Sequence, residues 1–253
     1  MKLTIAARLP ALVALAVLGV TARGDAEIDR QNWPTREFEF ARLIYSDGGI
    51  CPWGQPCWTV DQPEAEFFFH KGVSRLTRVD MAARGKQIDI YDDSLFDYPW
   101  LYAVEVGYWR LNDFEAERLR EYLLRGGFLM VDDFHGSRQW NDFTTGMHKI
   151  FPERAIVDIP DGDAILHVVY DTEERWQIPG MASLMRNRTY EEDGYDAHWR
   201  GIYDDDGRLM VMINHNMDLG DSWEEADNPQ YEQEYTTLGL RVAVNYVIYA
   251  MTH

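Results

Sequence analysis

Cysteine and basic residues are both scarce in this sequence. It contains only two cysteines, Cys51 and Cys57, and their spacing is not the C-x-x-C of redox or zinc sites. Lys and Arg total 24 against 43 for Asp and Glu, which gives a net charge of −19. Non-specific nucleic-acid binding and adhesion to an anionic membrane surface both depend on cationic side chains. The composition therefore argues against nucleic acid and against membrane lipid as partners.

Long apolar runs, internal repeats and glycine-rich phosphate loops are also missing. The one notable apolar run, residues 9–20, is too short to span a bilayer comfortably. It follows Lys2 and Arg8 and precedes the small-residue pattern Val20-Thr21-Ala22, which predicts a secretory signal peptide at residues 1–22. No Cys follows to indicate a lipoprotein, although an uncleaved anchor remains an alternative. We expect a periplasmic or secreted protein that meets the membrane only through this segment.

The remaining chain has enough apolar and aromatic residues, 46% and 13%, to form a core. Residues 23–36 are polar and lack periodicity, so they are predicted to be a linker before a single domain at residues 37–253. In an exported protein, two cysteines that flank a loop with Pro and Gly favour a local disulfide between Cys51 and Cys57. A pair of free thiols or a redox-active loop remains the alternative.

Strand and helix patterns alternate along this domain and predict an α/β fold with a parallel sheet between helices. Asp61 is predicted to cap a helix that buries Phe68 or Phe69, Val73 and Leu76. Residues 172–198 are polar and are predicted to form a surface excursion. The other predicted strands lie at 38–45, around Ile88 and Ile90, and at 100–106, 155–159, 201–203 and 208–213; further helices lie around Trp140, Phe143, Met147 and Ile150, and at 235–251.

The most informative stretch is residues 111–136. Asn112 and Glu115 have the spacing of a capping box at a helix start, and Phe114, Leu119, Tyr122 and Leu123 fall on one face of that helix. Gly126 and Gly127 end the helix, and an apolar strand at 128–131 follows. Ligands usually bind at the carboxyl ends of such strands. Here that end carries Asp132, Asp133 and His135.

Two loops are the best candidates for a functional site. The first holds Asp132, Asp133 and His135 as candidate catalytic residues. The second follows the strand at 208–213, and its candidate ligand-binding residues are Asn214, His215, Asn216, Asp218 and Asp221. Carboxyl ends of parallel strands share one edge, so the two loops are expected to meet.

Carboxylates with imidazoles suit a divalent ion such as Zn, Mn or Fe, which would activate a water for hydrolysis. Without a metal, an aspartate whose pKa is raised by its neighbour would act as a general acid. The structural alternative is that Asp132 caps the next helix and that Asn214 and Asn216 stabilise a turn. No cofactor is required by the pattern, and a divalent metal is left open.

Aromatic residues supply a second class of function, which is binding. Nine Trp and fourteen Tyr in an acidic exported protein offer stacking surfaces for a saccharide or an interface for a protein partner. Trp53, Trp58, Trp140 and Trp223 lie in or beside the loops described above.

Several segments resemble one bacterial family, the domain of unknown function numbered 4159. They are FARLIYSDGG, LREYLLRGGFLMVDDFHG, MVMINHNMDLGDSW and LGLRVAVNYVIYAMTH, and they extend over nearly the whole mature chain. The family is grouped with the class I glutamine-amidotransferase-like fold, so the resemblance implies a flavodoxin-like, mostly parallel sheet with helices on both faces. Amidotransferase relatives keep a nucleophilic Cys after the strand that follows the double-glycine helix. Asp132 and Asp133 stand at that place here.

The resemblance therefore implies the scaffold without the thiol mechanism. The function we expect first is binding of a small molecule, saccharide or protein partner at the carboxyl edge of the sheet. The alternative is a hydrolase that uses carboxylates and histidine, with or without a metal, on a sugar or amide substrate.

Overall fold

The structure, a computed structural model, describes residues 36–172 and 174–253. The signal peptide predicted at residues 1–22 lies outside the described residues, as does the predicted linker apart from Arg36. Arg36 forms an ion pair with Asp80 (2.8 Å) where the described chain begins.

A seven-stranded, mostly parallel sheet forms the centre of the fold. The strands are β1 (Ala41–Ile44), β2 (Lys86–Asp89), β3 (Trp100–Val104), β4 (Phe128–Asp132), β5 (Val157–Asp158), β6 (His198–Tyr203) and β7 (Leu209–His215). Their order across the sheet is β2-β1-β3-β4-β7-β6-β5. The strands β2, β1, β3, β4 and β7 are parallel to one another, whereas β6 runs antiparallel to both β7 and β5.

Helices cover both faces of this sheet. They are α1 (Glu64–Leu76), α2 (Asp113–Leu124), α3 (Gly136–Ile150), α4 (Met181–Leu184), α5 (Leu219–Glu224) and α6 (Gln233–Thr252). Apolar residues of α1, α5 and α6 pack on one face, and those of α2 and α3 pack on the other. Within the described part of the chain, no helix has both the length and the apolar character needed to cross a membrane.

Strand periodicity explains how two cores form. Successive side chains of a strand point to opposite faces, and in β3 Trp100 and Tyr102 enter one core while Leu101 and Ala103 enter the other. On the first face Trp100 packs against Phe40 and Phe69 with ring centroids 4.7 and 5.6 Å apart. Such aromatic pairs add to the burial energy of the core.

Most predicted elements are confirmed. The α/β alternation, the hairpin of β6 and β7 and the C-terminal helix are all present. The capping box of α2 is complete, because Glu115 N donates to Asn112 Oδ1 (3.0 Å) and Asn112 N donates to Glu115 Oε2 (2.8 Å). Of the two phenylalanines proposed for the core side of α1, Phe69 is the fully buried one, and Val73 is fully buried as predicted.

Four local predictions are wrong. Leu76 and Phe114 are 44% and 49% exposed, and Phe114 stacks instead on the exposed ring of Tyr91. Asp61 does not cap α1: the N-cap position is Pro63, and Asp61 turns its carboxyl group inward. The excursion at 172–198 is not confined to the surface, since residues 178–180 are buried over the carboxyl ends of the strands.

Candidate functional site

The two loops selected from the sequence lie together at the carboxyl edge of the sheet. Asp133, directly after β4, donates its N–H to the carbonyl of Met217 (3.1 Å), and Asn216 N donates to the carbonyl of Phe134 (3.0 Å). Asp133 has a positive φ of 50°, which is uncommon for a residue other than glycine. The chain therefore turns sharply there, with Asp133 against the loop that enters α5.

Three aspartates from three parts of the chain meet at this edge. Asp61, Asp133 and Asp218 each place a carboxyl oxygen within 4.8 Å of the other two. A second group shares one member with the first, because Asp61 also lies within the same limit of Asp221 and Glu224. We refer to these five residues, Asp61, Asp133, Asp218, Asp221 and Glu224, as the carboxylate cluster.

Protein donors already hold one oxygen of several of these carboxyl groups. Asp218 Oδ1 accepts from Asp221 N (2.8 Å) and so caps α5, while Asp221 Oδ2 accepts from Met181 N (2.6 Å). Asp133 Oδ1 lies 3.1 Å from Nε2 of His135. These contacts fix the orientation of each carboxyl group.

Two glycines, Gly180 and Gly220, pack closely against the cluster. A Cβ on Gly180 would lie 2.6 Å from Oδ2 of Asp218 and 3.3 Å from Oδ2 of Asp221, and a Cβ on Gly220 would overlap Oδ2 of Asp61. Any larger residue at either position would press into the carboxyl groups.

Asp132, the last residue of β4, is fully buried next to the cluster. Its Oδ2 accepts hydrogen bonds from Gly220 N (3.0 Å) and Tyr102 Oη (3.2 Å), which joins β4 to α5. Its Oδ1 is buried with no hydrogen-bond partner among the described residues, and the same holds for Oδ2 of Asp61. Leaving a buried oxygen without a hydrogen-bond partner is costly, and these are two carboxyl oxygens whose hydrogen bonding the described residues do not satisfy.

Burial raises the pKa values of these acids. It raises the pKa of Asp132 to about 7 and that of Glu224 to about 7. For Asp61, Asp133 and Asp218, burial and the charges of neighbouring carboxylates raise the pKa well above the usual range. Desolvation and like charges both disfavour the ionised form, so the cluster strongly favours taking up a proton or a cation.

A buried arginine offsets part of this charge. Burial lowers and the adjacent Glu66 raises the pKa of Arg42, with a net upward shift. Arg42 Nε donates to Glu66 Oε1 (2.5 Å), and its Nη1 donates to the carbonyls of Trp58 and Val60. Its charge lowers the pKa of Asp61, but because Glu66 already pairs with it, it cannot neutralise the cluster.

The two histidines of the loops have different roles. His135 contacts Asp133, and burial lowers its pKa to about 4, so its ring is neutral. His215 places Nε2 3.2 Å from the carbonyl of Gly136 and packs on the rings of Phe134 and Trp140. Neither histidine belongs to the two groups of ligand atoms.

Asn214 and Asn216 use their side chains within the protein. Asn214 Nδ2 donates to the carbonyl of Val131 (3.2 Å) and its Oδ1 accepts from Tyr246 Oη (2.9 Å), so it links β7 to β4 and α6. Asn216 Nδ2 donates to the carbonyl of Asp196 (2.7 Å). These contacts position the loop, and they leave Asp218 and Asp221 as its members in the cluster.

Side chains engage the N–H groups of His135, Gly136 and Ser137 at the start of α3. This matters because free N–H groups at a helix start are a common site for an anion. The donors and acceptors are His135 N to Gln139 Oε1 (2.9 Å), Gly136 N to Asn216 Oδ1 (2.8 Å) and Ser137 N to Asp193 Oδ1 (2.8 Å).

The cysteine loop lies beside the same edge. Cys51 and Cys57 are joined by a disulfide bond with their Cα atoms 5.3 Å apart. Trp53, 58% exposed, donates from Nε1 to Oε1 of Glu105 (2.6 Å). Glu105 follows β3, and burial raises its pKa to about 8. Trp58 and Trp140 are partly buried and Trp223 is fully buried, so Trp53 is the most exposed of the four tryptophans selected from the sequence.

Sequence reasoning missed Asp61, Glu105 and Glu224. Glu105 directly follows β3, which ends at Val104, but the predicted strand at 100–106 includes it, so the rule that selected Asp133 did not reach it. Asp61 precedes Pro63 and Glu64, which form a helix-start pattern, and it was therefore interpreted as a helix cap. Nothing local distinguishes Glu224 from a solvent-facing helix residue.

Comparison with known proteins gives one positive result. A comparison with curated proteins finds no match. The sequence profile of the Domain of unknown function (DUF4159) matches residues 39–251, which include both core faces and the whole carboxylate cluster. The chain therefore belongs to the DUF4159 family of domains of unknown function.

Proposed function

We propose that this protein is a divalent-cation-dependent binding domain and that the carboxylate cluster holds the cation. The bound cation would then present open coordination positions to an oxygen-rich ligand such as a saccharide. Binding remains our leading function, and the cation is the new element in it.

The observation that carries this proposal is the mutual distance of the three aspartate oxygens. Calcium-oxygen distances are about 2.3–2.6 Å, and magnesium-oxygen distances are about 2.0–2.1 Å. Two oxygens on one calcium ion are therefore at most about 5 Å apart. Asp61, Asp133 and Asp218 meet that limit pairwise, since one carboxyl oxygen of each lies within 4.8 Å of the other two.

The ligand types favour a hard cation. The two groups contain carboxyl oxygens alone, which suit Ca²⁺, Mg²⁺ or Mn²⁺. The sequence-based suggestion of Zn or Fe depended on imidazole ligands. His135 instead contacts the Oδ1 of Asp133, the arrangement by which an outer residue orients a metal ligand.

We also propose that the scaffold is flavodoxin-like and related to the amidotransferase fold without its nucleophile. The order β2-β1-β3-β4-β7 becomes 2-1-3-4-5 when only the parallel strands are numbered, which is the flavodoxin order. Asp133 occupies the sharp turn after β4. Acyl transfer needs free N–H donors for an oxyanion, and the three amides at the start of α3 are engaged, which disfavours a hydrolase of that type.

Export is part of the proposal. The signal-peptide pattern at residues 1–22 and the Cys51–Cys57 pair both suit an oxidising compartment. We therefore propose that the protein is periplasmic or secreted; carboxylates are common ligands of calcium in extracellular modules.

Thermal unfolding tests the cation site. Full-length protein is compared in EDTA and in millimolar CaCl₂, MgCl₂ or MnCl₂, as wild type, Asp218→Asn and Asp97→Asn. Asp97 is exposed and outside the cluster, so it is the matched control. At a cation concentration 100 times Kd the wild type gains about 2.7 kcal/mol.

The two aspartate variants should differ in how their melting temperatures compare with that of the wild type. In EDTA, Asp218→Asn should melt above the wild type because it removes a buried repulsion, and with cation it should melt below. Asp97→Asn should follow the wild type in both conditions. A wild type whose melting temperature is the same in EDTA and in all three salts would overturn the proposal.

A further inference from the structure

We propose that the carboxylate cluster holds two divalent cations, with Asp61 bridging them. This inference rests on the proposed cation site and adds a second position to it. The first cation would bind Asp61, Asp133 and Asp218, and the second would bind Asp61, Asp221 and Glu224.

Asp61 is the residue that joins the two positions. It is the one member common to both groups of mutually close oxygens among the described residues. Two metal ions in a shared site lie about 3.5–4 Å apart, a separation that one carboxylate spans by giving an oxygen to each ion. Asp61 is free to do this because no hydrogen bond engages its Oδ2.

The burial of Asp61 provides an independent observation. The residue is partly exposed as a whole, but its carboxyl group is enclosed and Oδ2 has almost no contact with solvent. An enclosed carboxylate oxygen without a donor loses its hydration and receives nothing in return. A cation on each side of the group would replace the missing donors.

Charge balance favours two ions over one. The five carboxyl groups of the cluster carry up to five negative charges, of which one divalent ion offsets two and a pair offsets four. Arg42 contributes little further neutralisation because Glu66 pairs with it. A single ion at the first position would leave Asp221 and Glu224 close together with only a proton to separate their charges.

The remaining ligands are already oriented for this arrangement. Met181 N engages Oδ2 of Asp221, and Asp221 N engages Oδ1 of Asp218, so a backbone donor fixes one oxygen of each residue. Gly180 packs against both residues, since a Cβ there would lie 2.6 Å from Oδ2 of Asp218 and 3.3 Å from Oδ2 of Asp221. Only glycine fits at that position beside the two carboxyl groups.

The number of Mn²⁺ ions bound per chain distinguishes a single cation site from a pair of sites. Full-length protein is dialysed against MnCl₂ and its bound metal is counted by elemental analysis, as wild type, Glu224→Gln and Glu225→Gln. We expect two Mn²⁺ per chain in the wild type, one in Glu224→Gln, and two in Glu225→Gln. Glu225 is the matched control because it is adjacent on the chain and lies outside both groups.

Electron paramagnetic resonance supplies a test that needs no variant. Two Mn²⁺ ions bridged by a carboxylate should give the exchange-coupled spectrum of a pair, and Glu224→Gln should give the spectrum of an isolated ion. One isolated Mn²⁺ per wild-type chain, unchanged in Glu224→Gln, would overturn the bridged pair and leave the first site standing. No bound Mn²⁺ at all would overturn the proposed function itself.

Discussion

His215 is a buried histidine that the fold keeps neutral. Burial lowers its pKa to about 3, and its Nε2 faces a carbonyl oxygen. Because a carbonyl only accepts, Nε2 must carry the proton of the neutral ring. The folded pKa is depressed below the ordinary value near 6.5, so the stability that His215 contributes is present above that pH. It is lost as the pH falls towards 3.

We therefore expect His215→Gln to change the pH dependence of stability. The difference in unfolding free energy between wild type and variant should shrink below about pH 6.5, by up to about 1.4 kcal/mol per pH unit. Urea unfolding at several pH values between about 7.5 and 5 measures it. Since the cluster is intact in both proteins, its own titration cancels in the difference. A difference that stays constant over that range would contradict the prediction.

Asp61 and Asp133 show what can be read from the sequence at the scale of one residue. Asp133 was found because it directly follows an apolar strand, and position along a strand fixes position in space. Asp61 has no such anchor. Its carboxyl group joins the cluster through a positive φ of 65°, a backbone conformation that the pattern before Pro63 does not disclose.

The disulfide loop is the element whose stability contribution is most easily isolated. A cross-link that closes a loop of seven residues is expected to stabilise a protein by about 2 kcal/mol through the entropy of the unfolded chain. We expect the double variant Cys51→Ser, Cys57→Ser to lose about that amount in urea unfolding. In the unreduced wild type, thiol titration should detect no free thiol.

Reduced wild type serves as the control for that double variant. Dithiol treatment should lower the stability of the wild type to that of the variant and leave the variant unchanged. Two reactive thiols in the untreated protein, or equal stability of wild type and double variant, would show that the pair is not bonded in solution.

Helix α2 gives a second prediction at this scale. Its capping box satisfies donors at the helix start, and Asn112 Oδ1 accepts from the N–H of Glu115. Asn112→Ala should cost about 1 kcal/mol of unfolding free energy. Asn141→Ala, at an exposed position within α3, is the control for replacing an Asn, because Ala is a good helix former and no loss of stability is expected there. Equal stability of Asn112→Ala and wild type would contradict the role of the cap.

Helices and strands whose ends carry a local sequence pattern were predictable, whereas segments without such a pattern were not. The capping box and the double glycine of α2 lie within a few residues of each other, so the sequence predicted both ends of that helix. The segment at 172–198 has neither periodicity nor turn pattern, and its burial depends on contacts with distant parts of the chain. Gly180 packs against Asp218 and Asp221 there. No local sequence pattern predicts that contact.

At the scale of the whole molecule, the protein has a net charge of −19, and five of its acidic side chains meet at the carboxyl edge of the sheet. Five parallel strands place their carboxyl ends there, and β4 and β7 pair in the middle of the sheet. The loops after these strands carry the acids, and the helices on both faces exclude water. The fold thus gathers into one enclosed site carboxylates that lie far apart in the sequence.

This concentration of acids predicts a pH dependence opposite in sign to that of His215. For Asp132 and Glu224, burial raises the folded pKa to about 7, above the value near 4 in the unfolded chain. Stability from these protonated groups is fully present below pH 4 and is lost as the pH rises towards 7 and beyond. In EDTA, the unfolding free energy that these two groups contribute should therefore fall between about pH 4 and pH 7.

Calcium should reverse that trend, because the ionised carboxylates that repel one another in EDTA are the form that binds a cation. We expect the stability in EDTA to fall on the order of 1 kcal/mol per pH unit for each affected carboxyl group. The stability in CaCl₂ should stay level or rise, so the two curves separate as the pH increases. His215 titrates alike in EDTA and in CaCl₂, so it does not separate the two curves. Parallel curves in EDTA and CaCl₂ would show that the cluster takes up protons and no cation.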